Sequence, residues 1–367
     1  MQDNISTESL NLLKLMFALK SRNSKVRWQA RIDLLEVRDV GAIEHLLNGL
    51  KDNNSFVRRS AAEALGHFDS AAIESLTDLL KDKSPSVRYA AAQSLGQIGD
   101  ARAVELLKAL LRDKNSKVRE IAVRALTWIG GKNIVEPLIQ MLENKNEKYF
   151  VRQRIISALG DIRDKRAIDV LLNVYDEAQQ NTENGLLYYA LDALSGIDDE
   201  RVVEIFSNIL KDENNKWRIL AAQVIGRKHI PKMLEPLIAT LKDEDPKLRS
   251  TTVEALGKYN NKRAFEALVS MLNDREDKVR NSATFALTTY SLDVHYDEQT
   301  LDLLIADLQS EDANVRRKVV EFLGRRGEKH ALPYLTWIQQ HDMVQDVRSA
   351  ALTATNLIKS KRIKTKS

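Results

Sequence analysis

The chain has 367 residues, 43% of them hydrophobic and 29% charged, with a formal net charge of +4 and no cysteine. That composition is ordinary for a folded globular protein, and the length has room for about two or three domains of common size. The lack of Cys excludes a disulfide framework, a thiolate metal site and a Cys nucleophile, and it fits a reducing compartment.

The N-terminal stretch MQDNISTESLNLLKLMFALK carries acids early and has no uninterrupted apolar core, so it does not read as a secretory signal. No apolar run approaches the roughly 18–20 residues that span a bilayer. A cytoplasmic protein is expected. The first predicted helix covers Ser6 to Lys20. Beyond it one phrase keeps returning: Val57-Arg58 with Leu65, Val87-Arg88 with Leu95, Val118-Arg119 with Leu126.

Anchored on the residue before the Arg, the series runs Val26, Val57, Val87, Val118, Val151, Leu186, Trp217, Leu248, Val279, Val315 and Val347. Such a period marks an internal repeat, here of about eleven units, and no linker interrupts it. In RAVELLKALLRD (102–113), the apolar residues Ala103, Val104, Leu106, Leu107, Leu110 and Leu111 follow the spacing of an amphipathic helix. A second helix follows, with Asn115 or Ser116 as N-cap and an apolar stripe of Val118, Ala122, Ala125, Leu126 and Ile129. Turns such as Gly99-Asp100 and Gly130-Gly131 separate the pairs. One two-helix unit cannot bury its apolar faces alone, whereas a stack of them can. The expected fold is all-α, an armadillo-like α-solenoid continuous over residues 1–358. The sixth unit departs from the pattern, with Leu187 in place of Arg and a longer connection at 175–185; a second long connection covers 288–300. Each reads either as a binding loop or as a tolerated irregularity. The last helix is expected to end from Ser349 to Ile358. Residues 359–367 hold five cations and no acid, so the +4 of the whole chain becomes −1 without them, and they read as a basic disordered tail.

The stretch VRYAAAQSLGQIGDARAVELLKALLRD resembles the consensus of the HEAT-repeat family in its short form of about 31 residues, the phycobilisome-lyase type. The resemblance covers essentially every unit and implies a solenoid whose second helices line a concave face. It says less about function, because the family includes scaffolds, adaptors, lyases and enzymes.

Two groups of residues follow. Arg58, Arg88, Arg119, Arg218, Arg249 and Arg280 follow their anchors, and Asp52, Asp82, Asp113, Asp212, Asp243 and Asp274 stand five residues before theirs. A cation and a carboxylate beside each turn fit a charge-assisted ladder between repeats better than a row of phosphate ligands, since a stacking role needs every unit. The second group lies at offsets 2, 3, 6 and 10 from the anchor, which the helical period exposes. There the middle units place Tyr89, Ile121, Trp128, Tyr188, Tyr189, Ile219 and Leu220, with Arg124, Arg154 and Asp192 among them. Aromatic groups amid mixed charges are the make-up of a protein-binding patch. The alternative is a helix phase off by one, which makes some of them packing residues.

Along this face Arg59/Glu63, Glu120/Arg124, Arg154/Asp161, Glu254/Lys258 and Lys318/Glu321 alternate in sign, which disfavours a nucleic-acid groove. None of the six His precedes a Glu, so the His-Glu metal site of the deoxyhypusine hydroxylases, an enzyme branch of the family, has no counterpart; no H-E-x-x-H, P-loop or G-x-S-x-G occurs. No catalytic residue, metal or cofactor is expected. The leading expectation is a non-enzymatic scaffold that binds a protein or peptide on the concave face. The alternatives are a bilin lyase, which the repeat type implies, and a nucleic-acid-binding HEAT-like protein.

Overall fold

The computed structural model describes residues 7–39, 41–68, 72–180, 185–290 and 298–364, the side chains of 7–10 and 361–364 excepted. Among these residues there are twenty-two α-helices and no strand, and the helices run in consecutive pairs. The chain divides into two compact bodies, residues 1–198 and 199–367. The division follows the unit in which Leu187 replaces the Arg.

The first body holds six pairs: α1 Thr7–Ala18 with α2 Ser24–Leu35, α3 Ala42–Gly49 with α4 Ser55–Leu65, α5 Ile73–Asp78 with α6 Pro85–Ile98, α7 Val104–Leu110 with α8 Ser116–Ile129, α9 Val135–Glu143 with α10 Tyr149–Ile162, and α11 Ile168–Gln180 with α12 Leu186–Ser195. The second holds five: α13 Glu200–Lys211 with α14 Arg218–Lys228, α15 Leu234–Thr240 with α16 Pro246–Leu256, α17 Lys262–Ser270 with α18 Asp277–Thr289, α19 Glu298–Ala306 with α20 Ala313–Arg326, and α21 Leu332–His341 with α22 Gln345–Lys364.

Local chemistry sets these boundaries. Asn115 caps α8, its side chain accepting the N–H of Lys117 at 3.0 Å and of Val118 at 3.4 Å. Asn23, Asn54, Asp245 and Asp312 cap other second helices in the same way. Gly99 ends α6 at φ 75°, a conformation that costs other residues a Cβ clash. Within each body the second helices pack side by side, α2 through α12 and α14 through α22, and the first helices cover their own partners, α19 doing so through the turn 307–309 that follows it. The anchors fill the seam: Val57, Val87, Val118, Val151, Leu186, Leu248 and Val279 are fully buried.

Neighbouring second helices come into close contact nine residues after the anchor. A Cβ placed on Gly226 of α14 lies 2.6 Å from Ala255 Cα of α16, and one on Gly324 of α20 lies 2.6 Å from Ala354 Cα of α22. Gly96 against Ala125 and Gly160 against Ala193 repeat the arrangement in the first body. The backbones touch there with no side chain between them.

The chain's end differs from expectation. Helix α22 continues to Lys364, so residues 359–364 extend it and do not form a separate disordered tail; 365–367 lie outside the described residues. Lys and Arg are good helix formers, and cations in a last turn interact favourably with the helix dipole. The long connection at 288–300 falls largely outside the described residues, and that at 175–185 partly so: residues up to Gln180 belong to α11.

Candidate functional site

The Arg that follows each anchor begins its second helix pointing back over the turn. Arg58, Arg88, Arg119, Arg249 and Arg316 each donate from Nη1 to a carbonyl of their own turn at 2.7–2.8 Å. Their Nε and Nη2 then reach the next repeat and meet a carboxylate with two bonds: Arg58 to Asp82 at 2.7 and 2.9 Å, Arg88 to Asp113 at 2.7 and 2.8 Å, Arg249 to Asp274 at 2.8 and 2.7 Å. Arg218 pairs with Asp243, and Arg316 with Asp342 at 2.7 and 3.0 Å. The acid in turn caps its own loop, as Asp82 does by accepting the N–H of Ser84 at 2.8 Å.

Several positions deviate. Asp52 pairs with Lys20, not with an Arg. Asp212 accepts the N–H of Asn214 at 3.1 Å, and the preceding unit offers Leu187 in place of an Arg. Arg280 keeps its turn carbonyl, Asp274 O, at 2.6 Å, but the next repeat supplies Ser310 where the acid belongs, and Arg280 pairs with Asp277 of its own helix. Spacing alone missed two acids: Arg119 takes Glu147, displaced by one residue in a longer interval, and Arg152 takes Glu177 from within α11.

Burial pushes the carboxyls of Asp82, Asp113 and Glu147 up, but the paired Arg, the capped N–H and the neighbouring cations together hold them below their ordinary values. For Asp274 and Asp342 the Arg hydrogen bonds dominate outright, with the same direction. A lowered folded pKa contributes stability that is present above the unfolded carboxyl value of about 4 and lost as pH falls through the lower folded one. We expect urea midpoints to be flat above pH 5 and to drop steeply below about pH 4, less so in an Asp82→Asn/Asp113→Asn variant. Equal acid sensitivity of variant and parent excludes the ladder as the cause.

With its second helices fixed in this way, the first body presents one continuous face. Offsets 2, 6 and 10 lie at about 200°, 240° and 280° around the helix from the anchor, and offset 3 at about 300°, turned into the neighbouring helix. Ile121, at offset 3 on α8, is therefore fully buried and is not part of the surface, contrary to expectation; Ser60 and Ser250 at the same offset are buried too. Trp128 is 49% and Tyr188 38% exposed, while Tyr89, Tyr189, Arg124, Arg154 and Asp192 are half-buried.

Trp128 is held on two sides. The Arg124 guanidinium lies 4.8 Å from its ring centroid, and the ring edge sits over Gly96 of α6, where a Cβ would come within 3.0 Å. Arg124 Nε is buried and has no hydrogen-bond partner among the described residues. Tyr188 meets Tyr189 edge-on at 5.4 Å. Arg154 donates to Glu120 at 3.2 Å, joining α10 to α8. At the opposite end of this face, Arg59, Tyr89, Lys117, Glu120 and Phe150 line a cavity of about 620 Å³. Tyr89 and Trp128 thus mark two separate places, offset by eight residues or roughly 12 Å along the helix direction. Phe150 (40% exposed) and Trp28 (57%) also face outward and were not anticipated; Trp28 stands at offset 2, which could have shown it.

In the second body, Ile219 and Leu220 are half-buried on α14. Phe285 is 49% exposed on α18, with Lys318 Nζ 5.6 Å from its ring centroid. Among the described residues, no helix is long and apolar enough to cross a membrane.

Stacked helix pairs locked by an intramolecular Arg–carboxylate ladder define an α-solenoid. The sequence matches HEAT repeats over residues 12–83, 43–126, 105–191, 203–288 and 291–356, and the chain belongs to that family. The match is to HEAT repeats at large and does not select the short phycobilisome-lyase type. No curated protein matches the sequence. Among solved structures, Kap121p is similar over 97% of this chain and 46% of its own, with a TM-score of 0.62 and 15% identity. Kap121p bound to Nup53p gives 0.60 and 16% over the same shares, and the karyopherin Kap121p bound to the SUMO protease Ulp1p gives 0.61 and 16%. The chain therefore spans less than half the length of these proteins, and at such identity the likeness is one of fold.

Proposed function

We propose that the chain is a non-enzymatic scaffold that holds a partner protein or peptide against the second-helix face of its first body. Trp128 and Tyr188 are the apolar anchors of this reading. Tyr89 and Tyr189 are flanking contacts, and Arg124, Arg154 and Asp192 select the partner at the rim. The observation that carries the reading is Trp128: a large ring, half in water, already seated between Arg124 and Gly96. A preordered aromatic loses little side-chain entropy on binding, which is why such residues dominate interface energetics. Kap121p, with a similar fold, has been crystallised bound to Nup53p and to Ste12p, so a solenoid of this type is compatible with holding protein partners.

The test is quantitative co-purification of partners with the intact chain beside a Trp128→Ala/Tyr188→Ala variant. The fold is checked by circular dichroism, and the eluates are read by mass spectrometry and visible absorbance. Loss of each anchor is expected to cost about 2 kcal/mol or more, a drop in recovery of at least about tenfold. The same partners at the same yield in both samples overturn the assignment of the anchors, and a coloured eluate redirects it to a bilin.

A further inference from the structure

The charges on the second-helix faces differ between the two bodies. At offsets 2, 6 and 10 from the anchors, the first body carries two cations and five acids, whereas the second carries Arg227, Lys258, Arg317 and Arg325 against Glu254 and Glu321. Three of these four cations directly follow a glycine of the close helix contacts: Gly226-Arg227, Gly257-Lys258 and Gly324-Arg325. The same step in the first body gives His67, Gln97 and Asp161. Arg227, Lys258 and Arg325 are all exposed. Gly226 lies against Ala255 and Gly257 against Ala286, which sets the ends of α14, α16 and α18 side by side. Arg325 completes the series from the following helix: its Nη2 donates to Thr288 O, at the end of α18, at 3.0 Å, where α18's own residue is Thr289. Three successive helix ends thus carry one cation each, at a helix spacing of about 8–10 Å. One turn back along α18 from this row, Phe285 is 49% exposed, with Lys318 Nζ 5.6 Å from its ring centroid.

We propose that this face of the second body binds an acidic peptide segment in polyproline II conformation, laid across the ends of α14, α16 and α18. In that conformation every third side chain points the same way, and three residues rise about 9 Å. A carboxylate at each third position meets Arg227, Lys258 and Arg325 in turn, and an apolar residue beside the last of them covers Phe285. A β-strand falls out of step with the helices, because its side chains alternate and those on one side recur every 7 Å or so, about two residues. A nucleic acid meets repulsion here, since its phosphates are continuous. Glu254 is exposed one turn before Lys258, and Glu321 lies between Arg317 at 3.0 Å and Lys318 at 3.6 Å. The site is separate from the Trp128 and Tyr188 anchors of the first body and does not depend on them.

The probe is a fluorescein-labelled peptide with glutamates at its first, fourth and seventh positions, a leucine at the eighth and prolines between. Its control has the same residues with the three glutamates adjacent. Binding to the full chain is followed by fluorescence anisotropy at low salt. The spaced peptide is expected to bind more tightly than the control and to weaken as salt rises. Lys258→Glu is expected to weaken it at least about tenfold, because a like charge is set against the peptide, and Phe285→Ala about fivefold. Both residues are exposed, and circular dichroism checks that the variants keep the fold. Trp128→Ala/Tyr188→Ala is expected to leave this binding unchanged, which separates the result from the fate of the first-body reading. A spaced peptide that does not bind, binds no better than its control, or is indifferent to Lys258→Glu overturns the proposal. So does a labelled oligothymidylate that binds more tightly than the spaced peptide and depends on Lys258, because the row then serves a nucleic acid.

Discussion

Replacing Arg249 with Ala is expected to destabilise the second body by about 3–5 kcal/mol, the range for breaking a buried ion pair from one side. Arg249 is only 3% exposed and makes four hydrogen bonds, two to Asp274 and two to the carbonyls of Asp243 and Glu244 at 2.8 and 3.0 Å. Its removal leaves the Asp274 carboxylate largely buried without its cation and frees two carbonyls in the turn. Arg102→Ala is the control. Arg102 pairs with Asp100 at 2.8 Å, but its side chain is 60% exposed, and solvent screens such a pair so that it contributes little. Urea denaturation of the full chain, followed by circular dichroism, separates the two. A repeat protein can unfold in segments, so each variant is compared with the parent in the transition of its own body, the second for Arg249 and the first for Arg102. Adding Asp274→Ala to Arg249→Ala is expected to recover part of the loss, because the stranded charge goes with it. If Arg249→Ala costs no more than Arg102→Ala, the ladder has little energetic role and burial of the anchors alone holds the stack.

Gly226→Val is the second change with a large expected effect. A Cβ at this position meets Ala255 Cα at 2.6 Å and Ala255 Cβ at 2.7 Å, and the nearest atom is backbone, which cannot swing aside as a long side chain can. Helices α14 and α16 must separate, and overpacking of this kind costs typically about 1–3 kcal/mol, at times more. Valine also adds the two methyl groups beyond that Cβ. Gly99→Ala tests a different cost: nothing lies within 4 Å of its Cβ position, so any loss there comes from φ alone. Thermal unfolding of the two variants beside the parent checks the difference. A Gly226→Val protein as stable as the parent means that the second helices slide apart without penalty.

The fold was legible because each unit repeats the same helix pair, and errors at one boundary do not propagate. The ladder could be read from spacing where the repeat kept its step. It could not be read at Glu147, one residue out of place, or at Glu177, which comes from inside a helix. Ile121 was misassigned because a helical wheel measures angle from the anchor and does not know that α8 has second helices on both sides. The seat of Trp128 was hidden for a related reason: Gly96 belongs to another repeat, and only the packing of α6 on α8 brings the two together. The recurring Gly nine residues after the anchor was present in the sequence all along at Gly66, Gly96, Gly160, Gly226, Gly257 and Gly324. It has no amphipathic signature, so a search for apolar periodicity passes over it.

The ladder also bears on how chains of this kind change length. Arg58, Arg88, Arg249 and Arg316 each grip their own turn with one edge and the next repeat's acid with the other, so these junctions have the same two halves. Excising residues 82–112 in one step brings Arg58 to face Asp113, and no charge is stranded by the cut. Duplication of the same segment closes in the same way. Gain or loss of a whole repeat by unequal crossing-over therefore keeps the ladder closed when the breaks fall at these junctions. At Arg280, where Ser310 stands opposite, the Arg half is ordinary but the acid half is missing, and any rearrangement that sets another Arg against Ser310 leaves that Arg without its carboxylate. Such a junction is a fixed address in an otherwise countable series, and alignments of variants of different length should be registered on it.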